Sequence, residues 1–152
     1  MANTYTQIHI QVVFSVQNRQ SLVSDLWKAE LYKYITGIIQ SKQHKLLAIN
    51  GMPDHLHIFF GLRPIQSVSS IIQDIKTNSS KWINDRNFVN GYFSWQEGFG
   101  AFSYRKSDIN QIINYILNQE DHHKKKSFID EYTELLKEFS IDFDSRYIFK
   151  PI

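Results

Sequence analysis

The stretch 46–62, LLAINGMPDHLHIFFGL, decides the fold of this chain. It contains two short runs rich in Leu, Ile and Phe, 46–52 and 55–62, which are separated by the breaker pair Pro53-Asp54. Apolar runs of this length on either side of such a pair are typical of two antiparallel strands. The stretch therefore predicts a β-hairpin in the first half of the chain.

The segments around the hairpin add further strands and helices. Apolar and polar residues alternate over 8–16, which predicts a strand with one face toward solvent. Helical periodicity follows over 24–42, and again from a cap at Ser67 to about residue 85. The aromatic stretch 92–104 is interrupted by two glycines, as expected of one or two short strands with a turn or bulge between them.

The resulting order is strand, helix, strand, strand, helix, strand. This order predicts an α+β fold of the ferredoxin-like or RRM-like type, with an antiparallel sheet and two helices on one face. Additional C-terminal helices are predicted from Ser107 to about residue 123 and from Ser127 to about residue 139. They either cover the open face of the sheet or pack at its edge. A length of 152 residues indicates one domain over 1–152.

Composition excludes several classes of protein. With 42% hydrophobic and 21% charged residues the chain is neither disordered nor collagen-like. It has no cysteine, which excludes disulfides and thiolate metal sites. We expect a cytoplasmic protein without a membrane partner, because no apolar run approaches the ~20 residues of a bilayer span and the N-terminus does not resemble a signal peptide.

Charge is distributed unevenly, although the net charge is only +2. The chain has 11 Lys/Arg against 6 Asp/Glu through Lys106, and 6 against 9 from Ser107 onward. A basic body is compatible with a phosphate backbone as partner, and scattered solvated lysines explain it equally well.

Two histidines share one face of the second hairpin strand. Strand alternation puts His55 and His57 on one side and Leu56, Ile58 and Phe60 on the other. If the apolar side lies beneath the two helices, the imidazoles face the open side of the sheet, toward which His9 also points. A His-x-His pair is a familiar metal-binding pattern, and it also occurs as ordinary hydrogen-bonded residues.

The predicted helix after Ser107 carries a polar ridge. At 100° per residue, Tyr115, Gln119 and His122 fall together beside the isoleucine stripe of this helix. By itself this ridge is typical of a solvated helix shoulder. Next to a His-x-His strand, it also offers a nucleophile and further metal ligands.

Three segments together carry a family resemblance: MPDHLH at 52–57, FSWQEGFGAFS at 93–103 and NYILNQ at 114–119. The chain resembles the single-tyrosine HUH transposases of small bacterial insertion sequences (IS200-like), from about Tyr5 to about Phe149. This resemblance implies that His55 and His57 are metal ligands with Gln119 as the third, and that Tyr115 is the nucleophile.

The resemblance also implies an activity and its partners. Such an enzyme nicks and rejoins single-stranded DNA at subterminal hairpins through a 5′-phosphotyrosine intermediate. The family implies Mg²⁺ or Mn²⁺ as cofactor, and the donor set alone favours the softer Mn²⁺. Excision joins two ends while each chain has one convincing nucleophile, so we expect a homodimer. Family resemblance implies that its sites are shared, with Tyr115 of one chain beside His55 and His57 of the other.

Some roles remain open at the level of sequence. His9, Asp54 and His122 are candidates to accept the proton of the tyrosine. Arg105 and Lys106 are candidate DNA phosphate contacts, and so is the lysine run 124–126, although both clusters are also typical of a solvated surface.

Two other functions compete with the transposase. One is a non-catalytic, domesticated nucleic-acid-binding module, because an open sheet face also binds bases in RNA-recognition domains, whose basic-aromatic strand signature is missing here. The other is a metal-dependent phosphodiester hydrolase, in which the histidine pair activates water and no covalent adduct forms.

Overall fold

The computed structural model describes residues 3–144, 146 and 148 of the chain. Its strands and helices are β1 His9–Ser15, α1 Lys28–Ser41, β2 Lys45–Met52, β3 His55–Gly61, α2 Val68–Asp85, β4 Gly100–Tyr104, α3 Ile109–Leu117, α4 Gln119–His123 and α5 Phe128–Glu138. Single 3-10 turns lie at Gln17–Arg19 and Lys106–Asp108. In the described part of the chain, no helix is long and apolar enough to cross a membrane.

The four strands form one antiparallel sheet in the order β2-β3-β1-β4. The predicted hairpin is present as β2 and β3, and β3 lies between β2 and β1. This order, together with the α1 and α2 connections, confirms the predicted ferredoxin-like α+β fold.

The main core lies between the sheet and the helices α1 and α2. Every second residue of β1 and β3 points into it, including Val12, Phe14 and Ile58, which are fully buried. Helix α2 begins at the predicted cap, where the Ser67 side chain accepts a hydrogen bond from the Ser70 backbone N–H at 3.1 Å.

The opposite face of the sheet is also covered. Helix α3 packs on β2 and β3 through Ile116, and α5 packs on β1 and β4 through a cluster that includes Val13 and Phe102. The prediction that β1 has one face toward solvent is therefore wrong. Gln11 and Ser15 of that face are fully buried beneath the C-terminal helices.

Two predicted helix limits also differ from the structure. Helix α1 begins at Lys28 rather than Ser24, because Trp27 leaves the helical conformation with φ −135°. The predicted helix 107–123 is divided into α3 and α4 at Asn118, whose φ and ψ are −99° and 26°. At the end of α3, the Asn50 side-chain amide donates to the carbonyls of Ile116 and Leu117 at 3.0 and 3.1 Å.

Candidate active site

The two histidines of β3 lie side by side and are buried. His55 and His57 are 1% and 0% exposed, and their ring centroids are 5.3 Å apart. The hairpin is tight at this point, since a Cβ on Gly51 would lie 2.2 Å from the carbonyl oxygen of His55. The strands and the covering helices thus fix both imidazoles in one closed region of the molecule.

Each imidazole is oriented through its Nδ1 atom. His55 Nδ1 is 2.7 Å from Asp54 Oδ1, and His57 Nδ1 is 3.0 Å from Gln11 Nε2. Gln11 in turn accepts a hydrogen bond from the Tyr104 hydroxyl at 2.8 Å. Both Nε2 atoms therefore face the same space between the sheet and the C-terminal helices. For His55, whose Nδ1 donates to a carboxylate, this orientation is typical of a metal-binding histidine.

Glu131 of α5 occupies the centre of this space and was missed by the sequence analysis. Its Oε1 lies 3.0 Å from His57 Nε2, 3.5 Å from His55 Nε2 and 3.1 Å from His123 Nε2. The residue is 3% exposed. Burial alone would raise the pKa of Glu131, but hydrogen bonds from the three imidazoles hold it far below its usual range. The centre of the site therefore contains a carboxylate anion.

Burial and charge act on the two histidines in opposite directions. Burial lowers the pKa of His57 below its ordinary value. Burial also disfavours charge on His55, but its hydrogen bonds to Asp54 and Glu131 outweigh this and raise its pKa.

Tyr115 of α3 contacts the same carboxylate. Its hydroxyl donates a hydrogen bond to Glu131 Oε2, and its ring lies 6.0 Å from the ring of His57. Burial and the negative charge of Glu131 raise the pKa of Tyr115 well above its ordinary value. The phenol is therefore protonated near neutral pH and held at the edge of the histidine cluster.

Gln119 reaches the site despite the break between α3 and α4. It is fully buried, its Oε1 lies 3.2 Å from His55 Nε2, and its Nε2 donates to Glu131 Oε2 at 3.2 Å. The structure thus brings together all four residues predicted as nucleophile and metal ligands: Tyr115, His55, His57 and Gln119.

The three candidate proton acceptors occupy different positions. The His122 ring packs on the Tyr115 ring with centroids 4.6 Å apart. Asp54 is bound to His55. His9 pairs with Gly61 and Tyr104 at the far end of β1, four residues and so about 13 Å from the strand position opposite His57. Among these three, only His122 contacts the tyrosine ring, and the hydroxyl itself is bound to Glu131.

The basic candidates lie at the surface. Arg105 and Lys106 are exposed in the connection from β4 to α3, where Arg105 Nε is 3.5 Å from Asp108 Oδ2. Lys125 and Lys126 line a cavity of about 350 Å³ that also exposes Tyr115 and Glu131. This cavity gives solvent access to the tyrosine.

The position of Glu131 in the sequence contains a clue to its burial. On α5 it stands between Phe128 and Tyr132, on the stripe that packs against the sheet. A carboxylate on an apolar stripe requires buried partners. A stripe of this kind ordinarily forms core, so the charged position within it is the signal that marks Glu131.

The residues present fit a metal ion. One ligand atom from each of His55, His57 and Glu131 lies within 4.8 Å of the others, and all three residues are buried. Because Asp54 occupies the Nδ1 of His55, the lone pair of a neutral His55 is at Nε2, facing the site. Imidazole and carboxylate are common ligands of divalent metals.

Comparisons with known proteins agree with the fold. One similar structure, at 1.90 Å resolution, is that of a protein from Deinococcus radiodurans R1 described as a transposase, with 17% identity, a TM-score of 0.61 and coverage of 78% of this chain and 95% of that chain. Another is a REP-associated tyrosine transposase bound to a REP hairpin, with 18% identity, a TM-score of 0.61 and coverage of 81% and 73%. No curated protein matches the chain.

The match that decides the family is to a sequence model. The model described as "Transposase IS200 like" matches residues 4–119, which include β1 to β4, the histidine pair, Tyr115 and Gln119. This range comprises most of the chain, and the predicted resemblance is thereby confirmed. The chain belongs to the IS200-like transposase family.

Proposed function

We propose that this transposase nicks and rejoins single-stranded DNA with Tyr115 as the nucleophile. The observation that carries the proposal is that Tyr115 and both β3 histidines meet on one carboxylate, Glu131. Phosphodiester transfer needs a nucleophile close to a metal ion. Here a single side chain, Glu131, contacts both the tyrosine and the histidines that are suited to hold the ion.

The chemistry conserves one phosphodiester bond at each step. Oη of Tyr115 attacks the phosphorus and forms a 5′-phosphotyrosine bond, while the bond from phosphorus to the 3′-oxygen breaks. The phenolic proton passes to solvent water in the cavity at Tyr115, and the released 3′-oxygen takes up a proton from water. A second 3′-hydroxyl then attacks the phosphotyrosine and restores the tyrosine, so no nucleotide cofactor is needed.

His55, His57 and Gln119 would hold a divalent ion, Mg²⁺ or Mn²⁺. When bound, such an ion neutralises charge on the phosphate and stabilises the leaving oxygen. Gln119 also donates to Glu131 Oε2, the atom that accepts from Tyr115, and so holds the carboxylate in place.

Single-stranded DNA with hairpin ends is the proposed substrate. The fold is similar to that of a REP-associated transposase bound to a REP hairpin, which supports a hairpin as ligand. Lys125 and Lys126 at the mouth of the tyrosine cavity, and the exposed Arg105 and Lys106, are candidates to contact its phosphates.

The decisive experiment uses Tyr115→Phe and a hairpin oligonucleotide labelled on the 3′ side of the nick. We expect wild type to form an adduct that survives denaturing electrophoresis, and the variant to form none while it still binds the hairpin. Tyr34→Phe is the matched control, because Tyr34 lies in α1 and contacts Trp82. Retained adduct in Tyr115→Phe would refute the assignment. Cleavage by wild type without an adduct would favour a hydrolase, and binding without cleavage a binding module.

A homodimer remains part of the proposal, because two DNA ends must be joined. In the structure of one chain, α3 lies on its own sheet with Ile116 fully buried, and Tyr115 reaches Glu131 of the same chain. A shared site would therefore require α3 to leave this position and cross to the partner. The trans arrangement stays a prediction, and complementation between variants tests it.

A further inference from the structure

A third imidazole nitrogen lies at the site, beyond the three predicted ligands. His123 is the last residue of α4, and its side chain is 8% exposed. Its Nε2 lies 3.1 Å from Glu131 Oε1 and 3.2 Å from Gln119 Oε1, and its ring centroid is 4.7 Å from that of His55. Three imidazoles therefore approach the same oxygen of Glu131.

The spacing of these atoms matches the edges of a coordination polyhedron. The five contacts that link the three Nε2 atoms to the oxygens of Glu131 and Gln119 measure 3.0–3.5 Å. With metal–ligand bonds of about 2.1 Å, adjacent ligand atoms lie roughly 3.0–3.4 Å apart in octahedral and tetrahedral sites. These five edges therefore have the lengths found in a metal site.

A neutral His55 directs its Nε2 lone pair into this cluster. His55 donates from Nδ1 to Asp54, so a neutral His55 has no hydrogen at Nε2. That Nε2 nevertheless faces two oxygen acceptors, Gln119 Oε1 at 3.2 Å and Glu131 Oε1 at 3.5 Å. A cation among these atoms satisfies all three lone pairs at once.

His57 can offer its Nε2 lone pair to a metal ion and keep its hydrogen bond to the Gln11 amide. This requires a hydrogen at Nδ1, and therefore the oxygen of Gln11 opposite it in place of the nitrogen. Rotation of the Gln11 amide by 180° achieves this, and the Tyr104 hydroxyl then accepts from the amide nitrogen instead of donating to its oxygen. Both amide orientations keep a hydrogen bond to His57 and one to Tyr104, with donor and acceptor exchanged in each.

We propose that His123 and Glu131 join His55 and His57 in one site that selects a transition-metal ion, of the Mn²⁺ or Zn²⁺ class, over Mg²⁺. Mg²⁺ prefers oxygen ligands and keeps several waters, whereas three imidazoles and one carboxylate suit the softer ions. The inference rests on the proposed function for the need of an ion, and goes beyond it by naming two further ligands and the class of metal.

The experiment measures metal binding by the full chain without DNA. Protein stripped with EDTA and desalted is titrated with MnCl₂, ZnCl₂ or MgCl₂ by calorimetry, and bound metal is counted after desalting. We expect one equivalent of Zn²⁺ or Mn²⁺ bound at least about 100-fold more tightly than Mg²⁺. Equal affinity for Mg²⁺ and Mn²⁺ would overturn the proposed selectivity.

His123→Ala tests the added ligand, and His122→Ala is the matched control from the same short helix. We expect His123→Ala to weaken Zn²⁺ binding at least about tenfold, since even indirect partners of a metal ligand contribute 10–100-fold to affinity. His122→Ala keeps wild-type affinity, because His122 packs on Tyr115 instead of the donor atoms. Unchanged affinity in His123→Ala would exclude it as a ligand.

A second measurement separates ligation from folding. Co²⁺-loaded wild type should show visible absorption that reports the number of nitrogen ligands, and His123→Ala should change that spectrum while its circular dichroism stays unchanged. An unchanged Co²⁺ spectrum would also overturn the proposal. Adduct formation with Tyr115 is scored separately, so the metal inference can fail while the transposase proposal holds, and the reverse.

Discussion

Replacing Gly100 with alanine should loosen α5 and, through it, the active site. A Cβ at this position would lie 2.7 Å from both Cε1 and Oη of Tyr132 and 3.1 Å from its Cζ. Ordinary carbon contacts begin near 3.5 Å, so the ring must retreat by ~1 Å. It has little room, because Tyr132 is 6% exposed and stacked on Phe128. Overpacking of this kind destabilises by about 1–3 kcal/mol.

The displacement matters because Glu131 directly precedes Tyr132 on α5. Its contact with His57 Nε2 is 3.0 Å, and if the helix moves with the Tyr132 ring, a shift of ~1 Å takes this contact beyond hydrogen-bond range. We therefore expect Gly100→Ala to lose stability and to bind Zn²⁺ more weakly. The midpoint temperature of thermal unfolding should fall by roughly 2–4 °C for each kcal/mol of stability lost in a chain of this size.

Gly37→Ala provides the matched control for this substitution. Gly37 lies in the middle of α1, and a Cβ there meets no atom within 4 Å. The same added methyl group should stabilise the protein by about 0.5–1 kcal/mol, because alanine is the better helix residue. The reasoning is refuted if Gly100→Ala unfolds at the wild-type temperature and binds metal with wild-type affinity.

Two further predictions concern the position of the tyrosine. Asn50→Ala removes the amide that caps the carbonyls of Ile116 and Leu117, so it should cost about 0.5–1.5 kcal/mol in denaturant unfolding and lower the adduct yield while hairpin binding is kept. Mixing Tyr115→Phe with His57→Ala protein under conditions of verified subunit exchange should restore nicking if the site is shared. No recovery would mean that the tyrosine acts within its own chain.

The parts of the fold that sequence predicted well are those set by local rules. Alternation in 55–62 correctly separated the histidines from Leu56 and Ile58, because strand geometry leaves only two faces. The cap at Ser67 was also local, since its side chain bonds three residues ahead. Such features depend on neighbours in the chain, which a sequence displays directly.

The features that sequence did not predict depend on contacts between distant elements. The break at Asn118 is accompanied by a capping bond from Asn50, which is more than sixty residues earlier in the chain. Burial of Gln11 depends on the helices that follow Ser107, and periodicity of β1 alone cannot reveal which helices cover its second face. For the same reason, the role of Glu131 could not be predicted from α5 alone, because it depends on contacts with the histidines of β3.

The buried carboxylate couples the site to the docking of the C-terminal helices. An unpaired charge at the position of Glu131 would be strongly unfavourable, and removal of one partner from a buried pair destabilises by about 3–5 kcal/mol. Its partners come from β3, α3 and α4, so the position of this residue against the sheet depends on contacts from all three elements. The same contact that holds Tyr115 therefore helps to hold α5.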